Sequence, residues 1–250
     1  MKVLVCVKRV PAPGARIVLT PDGRAIESGH LSFTTSPHEE CAVEAGIQLK
    51  EAHGGTVTVL TLGPAEAGEQ LRYAASVGAD EAVLVPTDGS DIDPQATAAG
   101  LLAAIEDLES GGDGFDLILF GNESADSGGF QVGIRVAHGL RRPVVSGIKG
   151  IDVEDDTVVV RREIPNGFEV YRLPVPAVVA VKEGINLPRY PTLSGRLKSK
   201  KLDIHRREAE LVPGGQRMVR LESPPEQEVK TEILSDAADV VDVFERLGVL

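Results

Sequence analysis

The segment that decides the fold is 117-LILFGNESADSGGFQVG-133. Residues 117–120 form an uninterrupted apolar run, which is typical of a parallel strand covered on both faces. The polar loop that follows contains Gly128 and Gly129, which allow a backbone to approach a ligand closely. A helix that begins near Phe130 would point its free N–H groups and its positive dipole end at the same place. The segment therefore predicts an anion-binding loop suited to a nucleotide phosphate, with an ordinary strand-to-helix turn as the alternative.

Composition and charge narrow the class of protein. The 250 residues can form one sizeable core, or one domain with an appended arm. The net charge of −12 argues against general binding to nucleic acid or to an anionic membrane surface. No stretch approaches the ~20 apolar residues of a membrane span, and the first residues do not resemble a signal peptide. Cys6 and Cys41 form no metal-like cluster and suit a reducing compartment, so we expect a cytoplasmic protein.

Strands and helices alternate on the N-terminal side of this segment. Ser36 and Pro37 have the character of a helix cap and first helical residue, and Asp93 and Pro94 open another helix in the same way. Apolar runs predict strands over residues 3–7, 56–62 and 81–86, and helical patterns cover residues 37–53, 65–77 and 94–110. The alternation predicts right-handed crossovers and an α/β fold with a doubly wound, mostly parallel, Rossmann-like sheet.

The pattern changes after Pro143. Residues 147–153, 157–163 and 168–173 predict a small antiparallel excursion, with turns at Asp155-Asp156 and Asn166-Gly167, and residues 177–181 rejoin the main sheet. No period holds over residues 184–201, which predicts an extended arm. The tail from there to Pro225 is predicted to be irregular, and residues 237–247 are predicted to form a short terminal helix. We therefore predict an α/β nucleotide-binding domain over residues 1–183, including antiparallel strands within 147–173. A partner-docking arm and C-terminal tail follow over residues 184–250.

Four loops are expected to meet beyond the carboxyl ends of the strands, where open α/β sheets bind their ligands. They follow Val7 and Leu62, precede the helix at Ser36, and span residues 121–129. Their convergence favours a nucleotide site. The first strand is not followed by G-x-G-x-x-G, and no Walker lysine motif is present.

Other chemistry at these loops has weaker support. A hydrolase built on Ser124, Asp126 or Ser127 would need a partner histidine at informative spacing, and the sequence offers none. The carboxylates that could hold Mg²⁺ are those of Glu39, Glu40, Glu123 and Asp126. Helix caps and solvated carboxylates are the simpler interpretation of all four.

The predicted arm concentrates positive charge in an acidic chain. Its basic residues are Arg189, Arg196, Lys198, Lys200 and Lys201, and they alternate with Pro188, Tyr190, Pro191, Leu193 and Leu197. A solvated basic loop is one interpretation. The other is a docking arm in which Leu193 or Tyr190 anchors a partner protein.

Taken together, the motifs resemble those of the beta (small) subunits of electron transfer flavoproteins. The matching segments are VLVCVKRV, SPHEECAVEAGIQLKE, LGPAEAGEQLRYAASVGAD, GNESADSGGFQVG, RREIPNGFEVYRLPVPAVVAV, INLPRYPTL and LKSKK. The resemblance extends along the chain except for much of the C-terminal tail. It implies an adenine-nucleotide-binding α/β fold and a heterodimer with an alpha subunit, which carries most of an FAD site near the interface. The pair would accept electrons from flavin-dependent dehydrogenases and pass them to a quinone oxidoreductase or another acceptor.

The resemblance also implies a buried nucleotide in this chain, AMP in the simple carriers and a second FAD in flavin-bifurcating members. The pocket carried over by similarity is formed by Cys6, Ser36, Pro37, His38, Glu39, Leu62, Gly121, Asn122, Glu123, Ser124, Ala125, Asp126, Ser127, Gly128, Gly129, Phe130, Gln131 and Val132. The phosphate would lie on backbone N–H groups around Phe130, Gln131 and Val132. The arm resembles the family's recognition loop, with Leu193 as its anchor and Tyr190, Arg196 and Leu197 beside it. No residue is assigned to catalysis or to a metal.

Because the sequence departs from the family pattern, the identity of the nucleotide stays open between AMP and FAD, and AMP is preferred. Ser36-Pro37 replaces the usual Asn-Pro, and the tyrosine that many members place near the flavin is replaced around Pro13. Two other classes compete with an electron carrier. An adenine-nucleotide hydrolase or ligase would need a Ser-Gly-Gly-x-Asp-Ser loop where residues 8–11 read Lys-Arg-Val-Pro, and a stand-alone nucleotide sensor would not need the basic arm.

Overall fold

The computed structural model describes residues 1–112, 114–225 and 231–249. The strands are β1 (Lys2–Cys6), β2 (Val10–Pro11), β3 (Phe33–Thr34), β4 (Thr56–Gly63), β5 (Glu81–Pro86), β6 (Leu117–Gly121), β7 (Val144–Glu154), β8 (Thr157–Ile164), β9 (Gly167–Pro174), β10 (Ala177–Val181) and β11 (Ile204–Arg206). The helices are α1 (Pro37–His53), α2 (Gly68–Val77), α3 (Pro94–Ser110), α4 (Val132–Gly139), α5 (Leu193–Lys200) and α6 (Asp239–Leu247). A 3₁₀ turn, Ala65–Ala67, precedes α2.

The main sheet has nine strands in the order β11-β5-β4-β1-β6-β10-β7-β8-β9. The pairs from β11 to β7 are parallel, and the last two pairs, β7 with β8 and β8 with β9, are antiparallel. The chain winds from β1 through β4 to β5 on one side and then crosses to β6 on the other. Neighbouring β1 and β6 are therefore the point where the strand order reverses, and their carboxyl ends open the crevice that such sheets use for ligands.

The core lies in two layers because alternate residues of each parallel strand face opposite sides of the sheet. Val3 and Val5 pack with α1 and α2, whereas Leu4 and Cys6 pack with α3 and α4. In the run 117–120, alternate side chains likewise belong to the two layers, and all four are buried. The predicted α/β class, the doubly wound parallel sheet and the antiparallel strands over 147–173 are confirmed.

The antiparallel strands continue the main sheet. The first residues of β7 run parallel to β10, and its later residues pair with β8 after an irregularity between Ile148 and Gly150. The pairing of β8 with β9 is regular, from Thr157 opposite Pro174 to Ile164 opposite Gly167. The excursion therefore forms one edge of the sheet.

Three local predictions are corrected by the structure. Helix α4 begins at Val132, two residues after Phe130, because Phe130 has a left-handed backbone with φ of 54° and cannot be the first helical residue. Residues 193–200, predicted as extended, form helix α5. Residues 204–206, predicted as irregular, form β11 and pair with β5.

The predicted boundary between residues 1–183 and 184–250 stays a prediction. Strand β11 comes from the second of these units and joins the sheet edge of the first. Residues 226–230 and Leu250, which belong to the predicted tail, lie outside the described residues. Within the described ranges, no helix has the length and apolar character needed to span a membrane.

Candidate functional site

A cleft of about 410 Å³ opens at the carboxyl ends of β6 and β10, beside the N-terminus of α1. Its lining residues are Pro37, His38, Glu123, Ser124, Ala125, Asp126, Ser127, Gly128 and Glu183. Eight of these nine were predicted as site residues from the sequence. The cleft therefore lies at the carboxyl-end edge of the sheet, where the crevice rule predicts a ligand, and the binding role of these residues stays a prediction.

The loop after β6 is folded on itself by short-range hydrogen bonds. The Gly128 N–H donates to the Ser124 carbonyl at 3.0 Å, and the Ser124 and Ser127 hydroxyls are 3.0 Å apart. The Asn122 N–H donates to the Val181 carbonyl at 2.8 Å, which joins the loop to the end of β10. Gly128 has φ of 53°, a conformation that glycine adopts without steric cost. These bonds give the loop a defined shape.

A buried carboxyl group stands at the start of α1, next to the cleft residues Pro37 and His38. Glu39 is 6% exposed, and its Oε2 accepts hydrogen bonds from the N–H and the Oγ of Ser36, both at 3.0 Å. Burial raises the pKa of Glu39 to about 7, although the bonds from Ser36 and the charge of Lys8 act in the opposite direction. Ser36 and Glu39 thus fix the start of α1, whose residues Pro37 and His38 line the cleft.

His38 connects the cleft to the chain that leaves β10. Its Nδ1 accepts a hydrogen bond from the Glu183 N–H at 3.0 Å, and its Nε2 lies 3.3 Å from Oε1 of Glu123. Because Nδ1 is an acceptor, the ring proton is on Nε2 and is directed at Glu123. His38 therefore orients the Glu123 carboxylate toward the cleft wall.

Lys8 and Asp126 close the gap between the loops after β1 and β6. Their Nζ and Oδ2 atoms are 2.6 Å apart. Burial by itself would raise the pKa of Asp126, but the charge and hydrogen bond of Lys8, together with bonds from Ser124 and Ser127, hold it below its ordinary value. The ion pair joins the two strands at which the sheet order reverses.

The charge of the cleft is mostly negative. Glu123, Asp126 and Glu183 contribute carboxylates, and a phosphate placed among them would be repelled. Carboxylates at this position of a nucleotide-binding fold suit ribose hydroxyls, which donate hydrogen bonds to them.

The opposite end of the loop has the properties that a phosphate needs. Within the described part of the chain, the N–H groups of Gln131, Val132 and Gly133 donate no hydrogen bond. They stand at the N-terminus of α4, where the helix dipole favours an anion. The Arg135 guanidinium lies one turn further on, held by Oε1 of Gln131 at 3.0 and 3.2 Å. The donors present therefore fit a phosphate group at this end of the loop.

Several predicted residues lie away from the cleft. Cys6 and Leu62 belong to the core layer that faces α3 and α4. Gly129 is near α3, since a Cβ placed on it would be 3.6 Å from Cγ of Pro94, and the Phe130 side chain is 53% exposed. The predicted set therefore divides into the acidic cleft and a region nearer α3 and α4.

Four residues of this site were not among the predicted ones: Gly133 and Arg135 in α4, and Lys8 and Glu183. Lys8 and Glu183 each come two residues after the end of a strand, β1 and β10, at the same edge of the sheet as the 121–129 loop. The rule that placed the other loops there could have identified Lys8 and Glu183. As for the four carboxylates considered for Mg²⁺, no cluster of metal-ligating side chains is found among the described residues.

The predicted docking residues lie on a separate surface, here called the docking segment and comprising residues 184–201. Tyr190 is 90% exposed, Leu193 77% and Leu197 56%, and Arg196 is also exposed. Leu193 and Leu197 are one helical turn apart in α5, so they lie on the same face. The segment presents apolar side chains together with the basic residues 196, 198, 200 and 201.

Comparison with known proteins gives a consistent result. Residues 27–211 match the family model of the electron transfer flavoprotein domain. The electron transfer flavoprotein subunit beta of Bacillus subtilis is 34% identical over 203 residues, which cover 80% of this chain and 76% of the relative. The corresponding subunit of Megasphaera elsdenii is 32% identical over 231 residues, covering 90% and 84%. The caffeyl-CoA reductase-Etf complex subunit CarD of Acetobacterium woodii is 34% identical over 197 residues, covering 78% and 73%.

Proposed function

The chain belongs to the electron transfer flavoprotein family, among its beta subunits, and we propose that it pairs with an alpha subunit and holds a nucleotide, AMP, in its own pocket, while the partner carries most of an FAD site near the interface. In this proposal the heterodimer carries electrons from flavin-dependent dehydrogenases to a quinone oxidoreductase or another acceptor. The chain itself makes and breaks no bonds. The FAD supplies the redox chemistry when bound, and the residues described above bind, orient and shield.

One observation carries the nucleotide assignment. The loop after β6 places hydrogen-bond acceptors at one end and unbonded N–H groups at the other. Ribose hydroxyls need acceptors and a phosphate needs donors, so the polarity of the loop matches the polarity of a nucleotide. We assign the phosphate to the N–H groups of Gln131, Val132 and Gly133, and ribose hydroxyls to the carboxylates of Glu123 and Asp126.

The same observation favours AMP over a second FAD. The unbonded N–H groups form a single cluster at the start of one helix, which suits one phosphate group. The pyrophosphate of FAD carries two phosphates, and three carboxylates occupy the cleft beyond the loop. The two-flavin alternative keeps support from the relative in a caffeyl-CoA reductase-Etf complex.

The docking segment is proposed to bind the donor dehydrogenase. Its exposed leucines and tyrosine suit an apolar pocket, and its four nearby basic side chains suit acidic residues around that pocket. The rest of the chain is acidic, so this contrast would orient the segment toward its partner as the two proteins approach.

Quantifying the bound nucleotides tests the proposal. The chain is co-expressed with its alpha partner, and the purified heterodimer is denatured and analysed by chromatography against AMP and FAD standards. One FAD and one AMP per heterodimer are expected. Two FAD and no AMP would replace AMP by the two-flavin alternative. A stable monomer or homodimer without flavin would contradict the electron-carrier assignment and favour a nucleotide hydrolase or sensor.

A further inference from the structure

Arg189 attaches the docking segment to helix α1 through two carboxylates. Its Nε and Nη2 donate to Glu44 at 2.9 and 3.0 Å, and its Nη1 and Nη2 donate to Glu51 at 2.6 and 2.9 Å. Its backbone N–H also donates to Glu44 at 3.2 Å. Each carboxylate thus receives the guanidinium in a forked arrangement, the charge-assisted geometry that fixes both distance and angle.

The burial of this cluster distinguishes it from an ordinary surface ion pair. The Glu44 side chain is only 5% exposed, and that of Arg189 is 35% exposed. Glu51, at 54%, faces solvent and completes the cluster from outside. A buried carboxylate that has lost its cation is costly, so Glu44 keeps Arg189 in place.

Two further contacts attach the same stretch to α1. The Asn186 side chain donates from Nδ2 to the Cys41 carbonyl at 3.0 Å, and the Glu183 N–H donates to His38. Residues 183, 186 and 189 thus contact residues 38, 41 and 44, every third residue on both sides. These polar contacts fix the first half of the segment along α1, and Ile185 packs against the buried core beside them.

The second half is attached to α2. A Cβ on Gly195 would overlap the Ser76 carbonyl oxygen, so α5 lies in close contact with the end of α2. The Arg72 Nη1 donates to the carbonyls of Ser199 and Leu202 at 2.8 and 3.1 Å, at the C-terminus of α5. The segment is therefore held at both ends.

The large apolar side chains between these attachments point outward. Leu187 is 88% exposed, Tyr190 90% and Leu193 77%. We infer that Arg189 is a positioning residue, which holds Leu187, Tyr190 and Leu193 in their binding arrangement before the dehydrogenase arrives. This inference rests on the docking role proposed above. A segment ordered in advance loses less conformational entropy on binding, which raises affinity without any added contact.

Two measurements on the heterodimer test the role of Arg189. The first is amide hydrogen exchange, in which Arg189→Gln is expected to speed exchange over residues 186–192 by tenfold or more. The second is steady-state electron transfer from a reduced flavin-dependent dehydrogenase. Here the KM for the heterodimer is expected to rise about tenfold, with kcat and bound flavin unchanged.

Matched variants separate positioning from charge and from folding. Arg196→Gln removes the same charge from the segment but leaves the contacts with α1 intact. Salt screens the attraction between exposed charges, so any rise in KM caused by Arg196→Gln should disappear at high salt. The rise caused by Arg189→Gln should persist there. Arg189→Gln alone leaves the buried Glu44 carboxylate without its cation. The double variant Glu44→Gln, Arg189→Gln removes that buried charge as well, and its KM should still be raised. Arg189→Lys, which keeps the charge and loses the fork, should give an intermediate KM.

The outcomes distinguish this inference from the docking proposal. If Leu193→Ala raises the KM but neither Arg189→Gln nor the double variant changes exchange or KM, the positioning role is wrong and docking stands. A fall in kcat with lost nucleotide in the double variant would also overturn it, since the cluster would then support the nucleotide site. If neither Leu193→Ala nor the Arg189 variants affect the reaction, the docking role itself is wrong.

Discussion

Glu39 and Gly121 pack against each other so closely that no side chain fits on the glycine. A Cβ on Gly121 would lie 2.6 Å from Cγ of Glu39 and 3.1 Å from its backbone nitrogen. The last residue of β6 is thereby in direct contact with the first turn of α1, and the two walls of the cleft are held at a fixed separation. Glu39 cannot move aside easily, because Ser36 holds its carboxylate by two hydrogen bonds.

Gly121→Ala is expected to lower the free energy of unfolding by about 2 kcal/mol, the usual effect of one added methyl group in a tightly packed region. Urea denaturation of the nucleotide-free chain measures the change. Gly29→Ala is the matched control, since a Cβ there has nothing within 4 Å. Equal stability of the two variants would mean that α1 shifts freely against β6.

The buried Glu39 carboxyl predicts a pH dependence with a definite sign. Its pKa rises from 4.5 to about 7 on folding, so the folded chain binds the proton more tightly than the unfolded chain. Its contribution is fully present below pH 4.5 and is lost as the pH rises toward 7 and above. Glu39→Gln should remove this pH dependence. The free energy of unfolding of the variant, taken relative to that of the wild type, should therefore rise by about 3 kcal/mol between pH 4 and pH 8, at 1.36 kcal/mol per pKa unit.

Denaturation of both proteins in urea across this pH range gives the comparison. Only the difference between wild type and Glu39→Gln is informative, because other carboxyls, such as Asp126 with its lowered pKa, change stability in the opposite sense. A difference that does not vary with pH would show that Glu39 is charged in the folded chain at neutral pH.

Replacing Phe130 is expected to raise the stability of the chain and to weaken nucleotide binding. Its φ of 54° is unfavourable for an aromatic residue, and its ring is 53% exposed. Phe130→Asn should therefore stabilise the nucleotide-free chain by about 1 kcal/mol, because asparagine tolerates this conformation. Strained residues gather at binding sites, so the variant is expected to retain less nucleotide after purification. Unchanged nucleotide content together with greater stability would remove Phe130 from the site.

Leu193→Ala tests the docking segment. The side chain is 77% exposed, so its loss should change the free energy of unfolding by less than about 0.5 kcal/mol. The rate of electron transfer from a dehydrogenase should fall about tenfold if Leu193 is an anchor worth at least 1.4 kcal/mol, while bound flavin stays constant. Val219→Ala, at a residue that is 73% exposed outside the segment, is the control. Loss of flavin in Leu193→Ala would make the segment structural.

The strands of the sheet were predictable because burial on both faces leaves a direct record in the sequence. Residues 117–120 are apolar without interruption, and all are buried in the structure. Helix α1 was equally predictable, since Ser36, Pro37 and Glu39 mark its beginning within four residues. Such signals are local, so they survive without knowledge of the fold.

Helix α5 was not predictable from its own residues, LSGRLKSK, in which Leu193 and Leu197 are a single apolar pair at helical spacing. It forms because Thr192 caps it, Gly195 permits contact with α2, and Arg72 binds its last carbonyls. Two of these three contacts come from residues more than 100 positions away in the chain. Tertiary contacts can thus impose a helix on a sequence with little preference for one.

Hydrophobic periodicity and helix caps act over a few residues, so the α/β class, the order of the main strands and helices as far as β10, and the sheet edge that carries the cleft follow from the sequence. Which charges meet at that edge depends on how the chain is folded in space. The fold brought Lys8 to Asp126, turned the Glu123 and Glu183 carboxylates into one cleft, and placed Arg189 between Glu44 and Glu51. Electrostatic energy depends on distance in space, and these distances are not recorded in the spacing of residues along the chain.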